Sequence, residues 1–398
     1  MSPFSSRLVL AAPVRTPIGR FGGALAALSA ADLGTAAATA ALARGGLAAE
    51  RVDQVVFGHA RQAGGGPNTA RQIAFRSGVP QERPAFTVNQ ACGSGLQAVL
   101  CAARAIRLGE AEVVLAGGTE SMSNTPYLLP RARWGYRLGN AEIVDGMYQD
   151  GFNDPLSKLV MGETAEELAV EAGIDRQAAD AYAAESQRCC EEARRAGRFT
   201  AEVVPVSVPG PKGGTTEVVT DEHPRDGVTA ASLARLAPVF REGGTVTAGN
   251  ASGITDGAAA LLVASEAAAD RLGLTPAGYL LDWQVVGVDP RVMGIGPVPA
   301  VRQLFARQGI DYGDVAQVEL NEAFASQVLA CLKELPFERQ VVNPDGGAIA
   351  LGHPIGATGA RILVTLLHGL QARGGRRGVA TLCVSGGMGL AALVERAA

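Results

Sequence analysis

Cys92 is the residue with the clearest chemistry. It stands in Asn89-Gln90-Ala91-Cys92-Gly93-Ser94-Gly95-Leu96. The apolar run Ala85-Phe86-Thr87-Val88 precedes it, and Leu96, Val99, Leu100, Ala103 and Ile106 then recur at helical spacing until Gly109. This pattern puts Cys92 where a strand turns into a helix. Free backbone N–H groups and the positive dipole end favour a thiolate there. Thiolate is the form in which cysteine attacks a carbonyl. The competing reading is a small buried thiol that only packs.

Three distant segments weigh against mere packing. Gly352-His353-Pro354-Ile355-Gly356 offers an imidazole beside a second Gly-rich helix start. Such a ring can take a thiol proton. Thr381-Leu382-Cys383-Val384-Ser385-Gly386-Gly387 offers a second thiol and a turn with free N–H groups, as an oxyanion hole requires. Asn321-Glu322-Ala323-Phe324-Ala325 adds a polar pair at the end of an apolar run. Together with Cys92, in this order, the segments resemble the thiolase family of acetyl-CoA acetyltransferases and 3-ketoacyl-CoA thiolases. The resemblance runs from Arg15-Thr16-Pro17-Ile18-Gly19 to the last strand.

The resemblance implies a set of roles. Cys92 is the acyl-accepting nucleophile, His353 activates it, and Cys383 moves the C2 proton. The N–H groups of Cys92 and Ser385 bind the thioester oxygen. Many relatives carry Gly where Ser385 stands, and a backbone donor tolerates that change if φ is negative. Asn321 holds a water beside the substrate oxygen, with His353 as the other donor, or caps the following helix. Glu322 orients that pair. Ser252 and Ala248 match the pantetheine site, Arg225 and Phe240 lie near the nucleotide and the pantetheine arm, and Met161 and Phe324 line the reacting end. Val160 stands where many acetoacetyl-CoA thiolases carry His, which trades a polar ring for an apolar wall. The substrates implied are acetyl-CoA, 3-ketoacyl-CoA and coenzyme A, with no other cofactor. The assembly implied is a homotetramer, a dimer of dimers.

Those residues need elements to hold them. Strand-like and helix-like segments alternate: Leu8–Ala11, Ala31–Arg44, Gln54–Gly58, Thr69–Ser77, then the Cys92 helix and Glu112–Ala116 ending at Gly117-Gly118. Such alternation predicts an α/β fold with largely parallel pairing. Residues 315–394 repeat the plan, with His353 in place of Cys92 and Gly386-Gly387 in place of Gly117-Gly118. The thiolase resemblance implies duplicated βαβ-type halves in a five-layered α-β-α-β-α sandwich. We place one half at 1–119 plus 252–274 and the other at 275–398. The intervening 120–251 reads as an inserted loop domain carrying coenzyme A and oligomer contacts. It contains Pro126, Pro130, Pro155, Pro205 and Pro209.

Composition excludes several classes. With 398 residues and 47% apolar content, the chain can fill more than one core. A net charge of −4 without a basic run argues against nucleic acid. The six cysteines show no C-x-x-C spacing, so neither a metal site nor a disulfide framework is expected. Free thiols imply a reducing, cytoplasmic setting. No apolar stretch approaches the ~18 residues of a membrane span. His59, His223 and His368 carry no motif and read as surface or satisfied residues. The rival readings are a decarboxylating condensing enzyme and a non-catalytic acyl-CoA-binding protein. Cys383 argues against the first, and the presence of Cys92, His353 and Cys383 together argues against the second.

Overall fold

The computed structural model describes residues 7–210 and 213–397. The first half comprises β1 (Leu8–Arg15), β2 (Gly19–Arg20), α1 (Ala30–Gly45), β3 (Gln54–Gly58), α2 (Thr69–Arg76), β4 (Ala85–Val88), α3 (Ser94–Arg107) and β5 (Val113–Ser121). The middle contains β6 (Tyr127–Leu128), β7 (Val144–Asp145), α4 (Met161–Ala172), α5 (Arg176–Arg195), β8 (Val206–Pro209), β9 (Thr215–Val218) and α6 (Ala230–Leu233). The chain then returns through β10 (Thr255–Ser265) and α7 (Glu266–Leu272). The second half comprises β11 (Pro276–Gly287), α8 (Pro297–Gln308), β12 (Gln317–Leu320), α9 (Ala325–Glu334), α10 (Ala348–Leu351), α11 (Ile355–Arg373), β13 (Arg377–Val384) and β14 (Met388–Arg396).

The strands join in the order β12-β13-β14-β11-β1-β10-β5-β3-β4. Within it the duplication is explicit. In the first half β3–β5 is parallel, while β5–β10 and β10–β1 are antiparallel. In the second half β12–β13 is parallel, while β13–β14 and β14–β11 are antiparallel. Even β4 has a counterpart, because Val342 makes a parallel bridge to Val318 as β4 pairs with β3. In this correspondence α3 matches α11, so Cys92 and His353 hold equivalent places.

The expectation of largely parallel pairing is overturned. The returning strand β10 enters between β1 and β5 and is antiparallel to both. β13 and β14 close as a hairpin over Gly386-Gly387, both at positive φ. The two glycine pairs also differ: Gly117 and Gly118 lie inside β5 rather than ending it.

Three apolar cores give the layers. One packs α1 and α2 on the first half of the sheet. Another packs α8 and α9 on the second half. In the third, Leu96 and Leu100 of α3 and Leu363 and Leu367 of α11 meet strands of both halves. For α11 to touch strands near both ends of the path, the sheet must fold around it. The result is helices, half-sheet, helices, half-sheet, helices. Each fully buried Leu contributes roughly 1.5–3 kcal/mol. Almost every residue of α11 is buried, as expected of a helix apolar on all sides.

The central helices approach closely because they lack side chains at the contact. A Cβ on Gly359 of α11 would run into the Leu96 backbone nitrogen on α3. A Cβ on Gly118 of β5 would strike the Gly356 carbonyl oxygen and lie 2.9 Å from the Cα atoms of Ala357 and Gly95. Backbone cannot step aside as a flexible side chain can. Gly118→Ala is therefore expected to cost about 1–3 kcal/mol of stability and to lower turnover by parting α3 from α11. Gly313→Ala, whose added carbon meets nothing, serves as the neutral control. Urea unfolding of both variants checks this; equal stabilities would contradict it.

Candidate active site

The two halves meet at a cavity of about 480 Å³ lined by Cys92, His353, Cys383 and Ser385. Each reactive group follows from the duplication. Cys92 comes after β4, Asn321 after β12, and Cys383 at the end of β13. Carboxyl ends of parallel strands are where open α/β sheets place ligands.

Cys92 is held on a strained elbow. Ala91 before it has φ +43°, which costs of order 1–3 kcal/mol unless neighbours over-determine it. They do. The Ala91 N–H donates to Asn89 Oδ1 at 3.0 Å, and Ser94 Oγ accepts from the Gln90 N–H at 2.8 Å and donates to the Ala91 carbonyl at 2.7 Å. Burial pushes the Cys92 thiol up. The Arg61 charge and the N–H groups of Ser385 and Cys92 itself pull it down, but less strongly. The helix start favours a thiolate, as expected, but does not secure one. Desolvation outweighs the dipole, so the resting group is a thiol that needs a base.

His353 is that base by geometry. Its Nδ1 lies 2.6 Å from Thr358 Oγ1, and that hydroxyl donates to the Pro354 carbonyl at 3.0 Å. The single hydroxyl proton is thus used, so Nδ1–H donates and Nε2 carries the lone pair. Nε2 is buried without a protein partner. Burial first, then the Arg361 and Arg61 charges, hold the imidazole down at about 3. Cys383 is buried too, and burial followed by the nearby Cys92 pushes its thiol well up. It keeps its proton until something basic asks for it.

Ser385 does not have positive φ, so a side chain there leaves its N–H pointing at the Cys92 sulfur. Asn321 is buried, and both polar atoms of its side chain lack partners. It does not cap α9, whose first cap residue is Phe324 with no side-chain bond. Glu322, expected to orient Asn321 and His353, bonds to neither side chain. Glu322 turns the other way and accepts from Tyr182 Oη at 2.8 Å, Ser186 Oγ at 2.7 Å, Asn343 Nδ2 at 3.1 Å and the Ile349 N–H at 3.0 Å. It anchors α10, which leads into His353.

Ser252, Ala248, Phe240, Met161, Phe324 and Val160 all line the cavity. The loop carrying Ser252 is clipped to the Asn321 segment, since the Ser252 N–H donates to the Ala323 carbonyl at 3.0 Å. Arg225 is exposed and is not among the lining residues, whereas His223 is. His59 is buried and satisfied, with Nδ1 2.8 Å from Thr69 Oγ1 and Nε2 3.1 Å from Glu120 Oε1. Sequence reasoning passed over Arg61, Met122, Tyr148 and Phe152, which also line the cavity. Arg61 could have been found as a charge just past the end of a parallel strand, β3. The π-helical turn Tyr148–Phe152 carries no such signal. Among the described residues, no cluster of His, Cys, Asp and Glu could hold a metal.

A duplicated α/β sandwich that brings two thiols and a neutral imidazole to one cavity defines an acyl-transferring enzyme. The chain belongs to the thiolase family, matching the thiolase N-terminal domain over residues 8–267 and the C-terminal domain over 274–396. It is 48% identical over 389 residues to an acetyl-CoA acetyltransferase of Cupriavidus necator, covering 98% of this chain and 99% of that one. An acetyl-CoA acetyltransferase of Escherichia coli is 49% identical over 389 residues, covering 98% of each. The crystal structure of Bacillus anthracis acetyl-CoA acetyltransferase superposes with a TM-score of 0.96 at 43% identity, covering 98% of this chain and 99% of that one. Human mitochondrial 3-ketoacyl-CoA thiolase in complex with CoA gives 0.95 at 41% identity, covering 99% and 98%.

The buried imidazole makes a pH prediction. Its folded value of about 3 lies below the ordinary 6.5. The stability this confers is complete above 6.5 and is lost as pH falls toward 3, because the unfolded chain takes the proton first. Urea unfolding from about pH 8 to about pH 4 should show the wild type losing up to about 1.4 kcal/mol per unit more than His353→Asn. Parallel curves would contradict the assignment.

Proposed function

We propose that the protein is an acetyl-CoA C-acetyltransferase, making or cleaving the C2–C3 bond of acetoacetyl-CoA and other 3-ketoacyl-CoAs through an acyl-Cys92 intermediate. The convergence of Cys92, His353 and Cys383 on one cavity carries this reading, and the names of the close relatives support it.

In the cleavage direction, His353 Nε2 takes the Cys92 proton and the thiolate attacks C3. Protonated His353 and an Asn321-held water then donate to the C3 oxygen. The C2–C3 bond breaks, and the electron pair moves onto the acetyl thioester, whose oxygen meets the N–H groups of Cys92 and Ser385. Cys383 gives its proton to C2, and acetyl-CoA leaves. Incoming coenzyme A returns a proton to Cys383 and attacks the acyl-Cys92. The released Cys92 thiolate recovers its proton from His353. Read backward, the steps are a Claisen condensation. Coenzyme A is a substrate here, and the chemistry needs no further cofactor. The reaction fits fatty-acid metabolism, and six free thiols fit a cytoplasmic setting. Among the described residues no helix is long and apolar enough to cross a membrane.

A second reading is favoured by one observation: Val160 lines the cavity. Its apolar surface would reward longer acyl chains by about 0.8 kcal/mol per buried methylene, as a 3-ketoacyl-CoA thiolase would use. Thiolysis across a ladder of chain lengths separates the two. The same assay tests the chemistry. Cys92→Ala should abolish turnover, whereas Cys383→Ala should still take acetyl from acetyl-CoA, visible as added mass on Cys92, but make and break no carbon–carbon bond. Turnover by Cys92→Ala would refute the nucleophile, and inactivity of the wild type on every 3-ketoacyl-CoA would favour a binding protein.

The homotetramer rests on exposed apolar residues in the 120–162 segment. Trp134 is 83% exposed, Leu138 98% and Tyr127 66%. Exposed apolar residues gathered in one segment mark an interface, here with another copy. Light scattering should return four times the chain mass; a single chain mass would overturn the assembly.

A further inference from the structure

We propose that Arg61 makes this enzyme selective for 3-ketoacyl-CoAs whose acyl chain ends in a carboxylate, a reading that rests on the thiolase activity above. Arg61 is only 7% exposed, yet it lines the catalytic cavity. Its Nε is buried without a hydrogen-bond partner. Among the described residues, no side chain or carbonyl accepts a hydrogen bond from its guanidinium, and no carboxylate is ion-paired with it. A buried arginine is normally matched, as Arg15 is here by Glu202 and Asp221, each at 2.6 Å. An unmatched buried cation is costly unless something anionic arrives.

The nearest acid does not fill that role. Glu120 already accepts from the N–H groups of Ala60 at 3.2 Å, Arg61 at 3.1 Å and Gly356 at 2.8 Å, and faces His59 Nε2 at 3.1 Å. It offsets charge through space and leaves the guanidinium unoccupied. The surroundings are built to admit the guanidinium. It lies against Gly151, where any Cβ would collide with Arg61 Nη2 and Cζ. Gly151 belongs to the π-helical turn Tyr148–Phe152, a distortion frequent at functional sites.

Position decides which part of the substrate Arg61 meets. Its charge acts on both Cys92 and His353, so it sits at the reacting end. The coenzyme arm belongs to the side of Ser252 and His223. Met122, Ile355 and Phe152 form an apolar wall that packs together with Cys92 and with Ala60, the residue before Arg61. An acyl chain fixed at Cys92 would lie along that wall with its far end at the guanidinium. Arginine binds carboxylate with two parallel hydrogen bonds, so a terminal carboxylate completes the pair that the protein leaves open.

The test compares two 3-ketoacyl-CoAs of six carbons, one plain and one ending in a carboxylate, and repeats the comparison at eight carbons. The wild type should show higher kcat/KM for the carboxylated partner at one length or both. Arg61→Leu should lower that preference roughly 10- to 100-fold, the range of a charge-assisted hydrogen bond, and Arg61→Lys should restore part of it. Plain substrates turned over with no carboxylate preference at either length would overturn the proposal and leave the thiolase reading intact. Failure to turn over any 3-ketoacyl-CoA would instead sink the activity on which it rests. An unchanged preference in a folded Arg61→Leu also overturns it. If that variant does not fold, the wild-type preference alone decides.

Discussion

The contact between α3 and α11 is the constraint from which the rest follows. Two helices can start side by side at one cavity only if their backbones nearly touch. Gly95 and Gly359 supply that approach, and Gly118 and Gly356 let the sheet close over it. The helix starts then deliver a cysteine and a histidine from opposite halves to the same point. The surrounding half-sheets, with their helices outside, hold this pair of helices in register. Duplication makes the arrangement economical, because one packing solution is used twice and only the residue at the helix start differs.

Burial then sets the proton inventory. The same desolvation keeps His353 neutral, Cys92 protonated and Cys383 protonated. In water a thiol and an imidazole would share the proton more evenly. Here neither thiol nor imidazole carries charge until substrate supplies a reason to separate it. The backbone N–H groups of Cys92 and Ser385 are fixed dipoles that cost nothing to reorganise when charge develops. Strain at Ala91 is tolerated because three hydrogen bonds hold the elbow in place.

Much of this was legible in the residues. Cys92, His353 and Cys383 each stand in a Gly-rich turn after or at a strand, and the cavity brings them together. The helix α3 was readable from Leu96, Val99, Leu100 and Ala103. What failed was non-local. Nothing near Thr255 announces that β10 will slot between β1 and β5, so parallel pairing was overestimated. Gly117 and Gly118 looked like a strand end because glycine is read as a turn, whereas Gly118 answers the backbone of α11 and Gly117 the Ala259 carbonyl and the Phe57 ring. Glu322 was read as orienting Asn321 and His353, and its partners, Tyr182 and Ser186 of α5 with Asn343 and Ile349, lie elsewhere in the chain. Arg61 offered only a lone charge past the end of β3, since its setting comes from Gly151, ninety residues away in sequence.

The returning strand has a consequence for how the chain is made. Among the described residues, β1 has β10 and β11 as its strand neighbours, besides a single bridge from Arg15 to Val203, so it has no full strand partner until about residue 255 emerges. At ordinary elongation rates of about 5–20 residues per second, that interval lasts roughly 10–50 s. Throughout it, the apolar strand Leu8–Arg15, every residue of which is buried in the finished fold, must be kept from wrong partners. The nascent chain therefore assembles its first half late, as a closure around a strand made early, and the ribosome holds an incomplete sheet until β10 has emerged.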